Sequence, residues 1–408
     1  MDFTPSPRAA ELTESVRDFL VTEIEPVEAA HHQELATLRA GGGDPWQAPR
    51  ALDELRDKAR ERGLWNLFLP ADHASEGLSN VDYAPIAELT GRSFIAPYVL
   101  NCNAPDTGNM EVLLKYGSEE QRREWLEPLL DGRIRSAFCM TEPGVASSDA
   151  TNMQATAVVE GDEVVVNGRK WWSTGIGNPD CKILIFMGLS DPDADRHHRH
   201  SMVLVPREAA GVKVERLLPV MGLYDEPFGH GEVTFTDVRV PLGNVIAGPG
   251  RAFEIAQGRL GPGRVHHCMR LIGLAEKALE LACRRALART AFGKRLADLG
   301  GNRERIADAR MAIDQARLLV LHAAWKLDEL GPRGALSEVS QIKVAVPNMA
   351  QQVIDMAIQI HGGGGLSEDF PLAAAWTSAR SLRLADGPDE VHRGVIAKLE
   401  LAKYRDAR

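Results

Sequence analysis

The sequence predicts an α+β protein with a helical N-terminal domain, a small all-β middle domain and a C-terminal four-helix bundle. Two observations support this fold class. The chain has 408 residues, too many for one small core. The spacing of its apolar residues also changes from a helical period to strand alternation and back again. These changes predict domains at residues 1–137, 138–245 and 246–408.

The first region combines helical spacing with polar residues where helices begin. In SEEQRREWLEPLL, Ser118 is a candidate N-cap. Glu119 and Glu120 follow it, and carboxylates suit the positive end of a helix. We therefore predict a helical domain that extends to residue 137.

The middle region has the alternation of β-strands. The stretch MQATAVVEGDEVVVNG alternates up to Val159, turns at Gly161-Asp162 and returns from Val164, which predicts a hairpin. Further strand candidates, separated by Gly, Pro and Asp, are KILIFMGL, SMVLVP and EVTFTDVRVP.

The third region contains apolar stripes that recur every three or four residues. One stripe begins at Ile272, and the two others are longer: Ile306, Ala309, Ile313, Ala316, Val320, Ala323, Leu327 and Leu330; Val339, Ile342, Val346, Met349, Val353, Met356 and Ile360. Such stripes need partners, and antiparallel packing with a last helix after Asp389 predicts a four-helix bundle. Pro347 should kink its helix or lie in its first turn.

Composition excludes several classes of protein. The net charge is −10 with no long basic run, which argues against a nucleic-acid partner. The five cysteines are scattered without CxxC spacing, so neither a disulfide framework nor a metal site is expected. No secretory segment or membrane span is visible. We expect a cytoplasmic protein without stable membrane insertion.

Two polar motifs lie in the middle region. FCMTEPGVASSDATN carries hydroxyls at Thr141, Ser147 and Ser148, which could bind a ligand or cap a strand. KWWSTGIGN places Trp171 and Trp172 side by side, so on a strand they should face opposite ways. One of them could cover a flat aromatic ligand, or both could be structural.

Two further motifs lie in the bundle. In RTAFGK, Arg289 and Lys294 could clamp a phosphate or favour a helix C-terminus. QIHGGGGLSEDFP ends a helix with four glycines, where one would suffice as a cap, so a ligand such as a pyrophosphate could approach the backbone. His361 has no second ligand nearby in sequence, which argues against a metal role.

A fifth motif, LRLADGPDEVHRG, sets Asp386, Asp389 and Glu390 around a Gly-Pro pair. These carboxylates form either an ordinary acidic turn or a site in which one of them is a base. The motif does not decide between the two by itself.

The motifs, in this order and spacing, resemble those of the acyl-CoA dehydrogenase family. TEPGVASSD resembles its first motif, QIHGGGGL with the following Arg and Asp resembles its second, and FTDVRVP resembles its exit from the β domain. NCNAPDTGNM, GRLGPGRVHHCMR and ADGPDEVH resemble the branch whose eukaryotic members are fused to an aminoglycoside-phosphotransferase-like domain. No such domain is expected within these 408 residues.

The resemblance implies the family fold, an N-terminal helical domain, a middle β-barrel-like domain and a C-terminal four-helix bundle. It also implies FAD, an acyl-CoA substrate and conversion to the trans-2-enoyl-CoA. A base removes the α-proton, flavin N5 takes the β-hydride, and an electron-transfer flavoprotein accepts the electrons. The family is oligomeric at its cofactor site, which implies a homodimer or homotetramer. The implied cofactor-binding residues are Phe138, Met140, Thr141, Ser147, Ser148, Trp172, Ser173, Thr174, Arg289, Phe292, Gln359, Gly362, Gly363, Asp389 and Glu390; the implied substrate-binding residues are Asn103, Thr107, Ser148, Arg264 and Gly387.

The resemblance also identifies the base as Asp386. The family usually has Glu-Gly-Thr at this loop, whereas this chain has Asp386 followed by Gly387 and Pro388. A second branch places its base where this chain has Gly263, which cannot act as one. Aspartate is one methylene shorter than glutamate, about 1.5 Å of reach, so the loop or the substrate must lie closer.

Two other functions on the same fold remain open. One is a flavin oxidase, such as an acyl-CoA oxidase or a nitroalkane-oxidase-like enzyme, that passes electrons to oxygen. The other is a flavin-bearing interaction protein like the DNA-binding alkylation-response branch, against which the acidic charge counts. The resemblance sets neither the length nor the branching of the acyl group.

Overall fold

The computed structural model describes residues 1–47, 50–70 and 77–405, in which helices dominate both ends of the chain. The α-helices are α1 Pro7–Phe19, α2 Glu25–Gly41, α3 Arg50–Glu61, α4 Asn80–Thr90, α5 Ala96–Val99, α6 Asp106–Tyr116, α7 Glu119–Gln121, α8 Glu127–Leu130, α9 Ala252–Ala288, α10 Gly300–Gly334, α11 Leu336–His361, α12 Leu372–Ser381 and α13 Asp389–Ala402. No helix in these ranges is both long and apolar enough to cross a bilayer.

The strands lie mainly between the helical regions. They are β1 Arg135–Cys139, β2 Thr156–Glu160, β3 Glu163–Thr174, β4 Cys181–Leu189, β5 His200–Pro206, β6 Val212–Leu217, β7 His230–Pro241, β8 Thr290–Ala291 and β9 Lys294–Arg295. The chain forms two compact units, one of Met1–Glu25, Pro70–Pro97 and Arg264–Arg408, the other of Pro26–Leu69 and Tyr98–Gly263.

The seven-stranded sheet belongs to the second unit. Its order is β1-β4-β2-β3-β7-β6, with β5 paired to β4. The predicted hairpin is confirmed, since β2 and β3 pair antiparallel with Val159 opposite Val164. Two strands of this sheet, β1 and β6, were not predicted, and neither was the short pair β8 and β9. The predicted boundary between residues 137 and 138 falls within β1 and remains a prediction.

The helices of the first unit bury the predicted stripes. Helix α11 packs against α10, α12 and α13, and most stripe positions on α10 and α11 are buried. Leu330 is wrong as a stripe position, because it is 55% exposed. Gly331 follows it with φ +68 and ψ −179, which interrupts α10 and turns the chain out of the helical register. Pro347 lies in the interior of α11 and not in its first turn.

Helix α9 lies against α4 through two glycines. A Cβ on Gly91 would clash with the carbonyl oxygen of Arg270, and a Cβ on Gly273 would clash with that of Glu88. Backbone contact this close requires glycine on each helix. The contact fixes the part of α9 that carries the residues described next.

Candidate active site

The candidate base lies in a strained turn between α12 and α13. Asp386 has φ +56 and Gly387 has φ +103. Positive φ is uncommon outside glycine, and aspartate is among the few residues that tolerate it. Non-glycine residues held in this region cluster at functional sites, where the surrounding structure keeps them.

Three helices of the first unit hold this turn. The carbonyl oxygen of Asp386 accepts from Arg264 Nε on α9 at 3.0 Å and pairs with His392 Nε2 on α13 at 3.2 Å. Lys343 on α11 donates to the carbonyl oxygens of Leu382 at 2.5 Å and Gly387 at 3.4 Å. The backbone of the turn is therefore fixed independently of the Asp386 carboxylate.

The carboxylate itself faces a histidine. Oδ2 of Asp386 lies 3.6 Å from Nε2 of His267, and the two side chains are 20% and 22% exposed. Arg264, predicted to orient the carboxylate or the substrate, bonds the Asp386 backbone. Its predicted contact with substrate remains a prediction.

Burial sets the charge state of several groups around the turn. Desolvation lowers the pKa of Lys343, and it lowers the pKa of His392 to about 4, so His392 is neutral near pH 7. Desolvation also raises the pKa of Cys268 to about 12, so this residue is a thiol. Burial of these groups disfavours their charged forms.

The two carboxylates that open α13 have different surroundings. Asp389 is buried and accepts from Asn348 at 3.1 Å and from Arg383 Nε at 2.9 Å. Burial disfavours its ionised form, but these hydrogen bonds outweigh burial and lower the pKa of Asp389. Glu390 has an 80% exposed side chain, 4.0 Å from Arg393. Their predicted cofactor contacts remain predictions.

In the second unit, the two tryptophans lie in a β-bulge. The pairing of β3 with β7 shifts between Lys170 and Ser173, and Trp172 has φ +54. The regular alternation predicted for this strand is therefore wrong here, because the bulge adds a residue. Trp171 is partly buried, whereas Trp172 is 40% exposed, as expected for a ring that could cover a ligand.

Thr174 is paired with a histidine that the sequence analysis did not single out. Its Oγ1 lies 2.9 Å from Nδ1 of His230, whose Nε2 lies 3.8 Å from Asp225 Oδ2. Desolvation lowers the pKa of His230, with Asp225 opposing the shift, so the ring is neutral near pH 7. The hydroxyl predicted to face flavin N5 thus has a protein partner.

A buried ion pair fastens the first motif to β3. Lys170 Nζ donates to Glu142 Oε1 at 2.8 Å and to the carbonyl oxygens of Met140 and Met187. Ser147 Oγ accepts from the backbone N–H of Glu142 at 2.9 Å, which is a capping role. Thr141 and Ser148 are exposed, so their hydroxyls are accessible.

The remaining predicted cofactor residues differ in exposure. Phe138 lies under the guanidinium of Arg259 at 4.0 Å, and Ser173 is buried. In the first unit the side chains or backbones predicted to reach a neighbouring subunit's FAD are all exposed: Arg289, Phe292, Gln359, Gly362 and Gly363. Phe292 is 97% exposed.

The segment predicted to face the acyl tail forms an internal polar network. Asn103 donates to Asp106 at 3.2 Å, and Asp106 also accepts from Ser136 and Arg135. Thr107 is buried in α6. These bonds supply a structural reason for the polar residues, and the substrate roles of Asn103 and Thr107 remain predictions.

Within the described ranges, no cluster of His, Cys, Asp and Glu could hold a metal ion. His361 Nδ1 pairs with the Ala357 carbonyl oxygen at 2.7 Å.

Sequence reasoning missed several residues that the fold brings to these motifs: His267, Arg270, Lys343, His392, Lys170, Glu142 and His230. Five of them lie within the motifs: His267 and Arg270 in GRLGPGRVHHCMR, His392 in LRLADGPDEVHRG, Lys170 in KWWSTGIGN and Glu142 in FCMTEPGVASSDATN. Their only sequence signal is membership of a motif. Lys343 and His230 lie outside the motifs, and their contacts join positions 39 and 56 residues apart along the chain.

Comparison with known proteins gives three consecutive family matches. The acyl-CoA dehydrogenase N-terminal domain matches residues 6–133, the middle domain 137–238 and the C-terminal domain 250–401. Acyl-CoA dehydrogenase family member 11 of Gallus gallus is 53% identical over 404 residues, which is 98% of this chain and 51% of that protein. The chain thus spans about half the length of that relative.

Two mycobacterial relatives match along their whole length. "Probable acyl-CoA dehydrogenase FadE2" of Mycobacterium tuberculosis is 50% identical over 406 residues, 99% of this chain and 98% of that protein. A solved Mycobacterium abscessus structure, provisionally assigned as an acyl-CoA dehydrogenase, is 70% identical with a TM-score of 0.96, covering 98% of this chain and 100% of that one. The chain belongs to the acyl-CoA dehydrogenase family of oxidoreductases.

Proposed function

We propose that the protein is an FAD-dependent acyl-CoA dehydrogenase in which Asp386 removes the α-proton of an acyl-CoA thioester, giving the trans-2-enoyl-CoA. One observation carries the proposal: Asp386 holds φ +56 while Arg264 and His392 bond its carbonyl oxygen. Strain of this kind persists only where the surroundings enforce it. We also propose that the chain belongs to the branch of the family with an aspartate base.

The chemistry requires the carboxylate to be held and partly shielded. The α-proton of a thioester is weakly acidic, so its removal needs a base. A correctly positioned general base typically raises the reaction rate by about 10²–10⁴-fold. The Asp386 side chain is 20% exposed, so bound substrate can exclude the remaining water. If the base is misplaced by about 1 Å, the rate falls roughly 100-fold. The contacts from three helices therefore serve to hold the turn, and with it the base, in position.

The residues present fit FAD. Trp172 offers an exposed ring, and the exposed hydroxyls of Thr141 and Ser148 are available to phosphate or flavin. Neither Gly362 nor Gly363 has a described atom within 4 Å of a Cβ position, so the backbone there is open. FAD, when bound, supplies the hydride acceptor.

The proposal includes the assembly and the electron acceptor. Arg289, Phe292 and Gln359 are exposed, which suits contact with the FAD of a neighbouring copy in a homodimer or homotetramer. We propose an electron-transfer flavoprotein as the acceptor, as the family resemblance implies.

The test is anaerobic bleaching of the purified yellow protein by a panel of acyl-CoAs that differ in length, branching and hydroxylation. Wild type should lose its flavin absorbance with at least one of them. Asp386→Asn should bind FAD but bleach more slowly by roughly 100-fold or more, in line with loss of a general base. Glu329→Gln, which changes an exposed carboxylate on α10, is the control.

Full bleaching of Asp386→Asn at the wild-type rate would refute the base assignment. The fate of the reduced protein separates the dehydrogenase from an oxidase. Slow reoxidation in air supports the dehydrogenase, whereas rapid reoxidation assigns the protein to the oxidases.

A further inference from the structure

His267 faces the carboxylate of Asp386 and has no role in the mechanism so far. The 3.6 Å between its Nε2 and Asp386 Oδ2 is slightly longer than a hydrogen bond. A shift of about 0.5 Å would bring the two atoms to an ordinary hydrogen-bond distance. The distance is therefore short enough for His267 to act on the base.

A second residue fixes the hydrogen of His267. Arg270, one turn along α9, places Nη2 3.3 Å from His267 Nδ1. A guanidinium can only donate, so Nδ1 must accept. In a neutral imidazole the hydrogen then lies on Nε2, the nitrogen nearer to Asp386. Arg270 therefore makes His267 a donor to the carboxylate and prevents it from accepting a proton at Nε2.

The other charged and titratable groups around this pair have different tasks. Arg264 on α9 and His392 on α13 bond the carbonyl oxygen of Asp386, and Lys343 on α11 donates to the carbonyl oxygens of neighbouring turn residues. Asp389, also near Lys343, is bonded to Arg383. Beside His267 on α9, Cys268 is a thiol, and burial lowers the pKa of His266 to about 3, so that ring is neutral.

We propose that His267 is a positioning residue for the base: held as the Nε2–H tautomer by Arg270, it donates to Oδ2 of Asp386 and orients the carboxylate that takes the substrate's α-proton. This inference rests on the proposed function. In the step, the α C–H bond breaks, an O–H bond forms on the Asp386 carboxylate, and the electron pair stays on the substrate as an enolate. His267 keeps its hydrogen throughout.

The first experiment isolates the deprotonation. The holoenzyme is given the 3-thia analogue of the acyl-CoA that bleaches it fastest, because sulfur at position 3 leaves no β-hydrogen to remove. Exchange of the α-protons with D₂O is followed as a function of pH. Asp386→Asn tests the base itself. His267→Leu removes the N–H that donates to the carboxylate, whereas His267→Gln retains an N–H donor. His322→Leu on α10 is the control.

We expect His267→Leu to exchange roughly 10- to 100-fold more slowly, as for a displaced base, with binding of the analogue nearly unchanged. The acidic limb of its exchange rate against pH should move to higher pH. A hydrogen bond to a carboxylate favours the ionised form, so its loss raises the pKa of the base. His267→Gln should recover most of the rate and the wild-type limb. A purely structural role for His267 would not move the limb.

A second readout does not depend on turnover. With ¹⁵N-labelled histidine, the His267 resonances, identified by their loss in His267→Gln, should report the Nε2–H tautomer in wild type. In Arg270→Met, Nδ1 of His267 no longer accepts from a guanidinium and can take a proton. The resonances should then show an additional ionisation of His267 near the ordinary histidine pKa of about 6.5. An Nδ1–H tautomer in wild type would overturn the inference even if no acyl-CoA bleached the protein.

The outcomes separate the two proposals. If Asp386→Asn exchanges like wild type, the base assignment is wrong. If Asp386→Asn is inactive while His267→Leu keeps the wild-type rate and acidic limb, only the positioning role is wrong.

Discussion

At the scale of single residues, the first motif depends on one buried lysine. Lys170 is fully buried, and its three hydrogen bonds go to Glu142, Met140 and Met187. Glu142 in turn accepts from the backbone N–H groups of Gln154 and Ala155. A buried ion pair is tolerated only when both partners are satisfied in this way, and removal of one partner leaves a buried charge.

We therefore expect Lys170→Met to lower the free energy of unfolding by about 3–5 kcal/mol, measured by urea titration. The double variant with Glu142→Gln should recover part of this loss, because no buried charge then remains. Lys182→Met is the control. Its pair with Glu208 is exposed, at 43% and 79%, so the change should be within about 0.5 kcal/mol. A loss as small as the control's would contradict the role of Lys170.

At the scale of elements, the start of α7 shows a local rule reinforced by tertiary contacts. Ser118 is the N-cap, as predicted, and it forms a capping box with Gln121. The side chain of Gln121 also donates to the carbonyl oxygens of Gly243 and Val245. The sequence pattern predicts a role for Glu119 and Glu120 in this turn, and the contacts of Gln121 appear only in the structure.

Ser118→Ala should lower the free energy of unfolding by about 1 kcal/mol, because one N-terminal N–H loses its acceptor. Gln121→Ala should cost more, since it leaves two carbonyl oxygens without their donor. Ser15→Ala is a matched control, because that hydroxyl bonds the Glu11 carbonyl oxygen on an exposed face of α1. Equal stability of Ser118→Ala and Ser15→Ala in thermal denaturation would contradict the expectation.

At the scale of the whole molecule, buried histidines make stability depend on pH. Desolvation lowers the pKa of His31 to about 4, as it does for His392, and that of His266 to about 3, from the ordinary 6.5. Between these values and 6.5 the unfolded chain binds more protons than the folded one. These rings therefore cost no stability above pH 6.5, and stability falls as the pH drops from 6.5 to their folded pKa values.

We expect the melting temperature to fall between about pH 6.5 and 4, with each histidine contributing a slope of up to about 1.4 kcal/mol per pH unit. His31→Gln should flatten this acid limb, because it removes a buried ring whose protonation opposes folding. Glu111 acts in the opposite direction, because burial raises its pKa to about 8 and stability is lost as the pH rises from 4.5. An unchanged acid limb in His31→Gln would sink the prediction.

The sequence by itself determined the succession of helical, strand and helical regions, the hairpin at Gly161-Asp162, the N-cap at Ser118 and the family. These features depend on spacing within a few residues or on short motifs, so they can be read without a fold. The sequence also pointed to Asp386 as the base, through the likeness of ADGPDEVH to a family motif.

Only the tertiary structure decided what surrounds that base. Arg264 lies 122 positions from Asp386 along the chain and yet bonds its carbonyl oxygen, and His267 faces its carboxylate. The sequence pattern also did not predict the bulge at Trp172 or the early end of the apolar stripe on α10. The physical reason is that periodicity is a property of neighbouring residues, whereas these contacts form when separate helices and strands pack together.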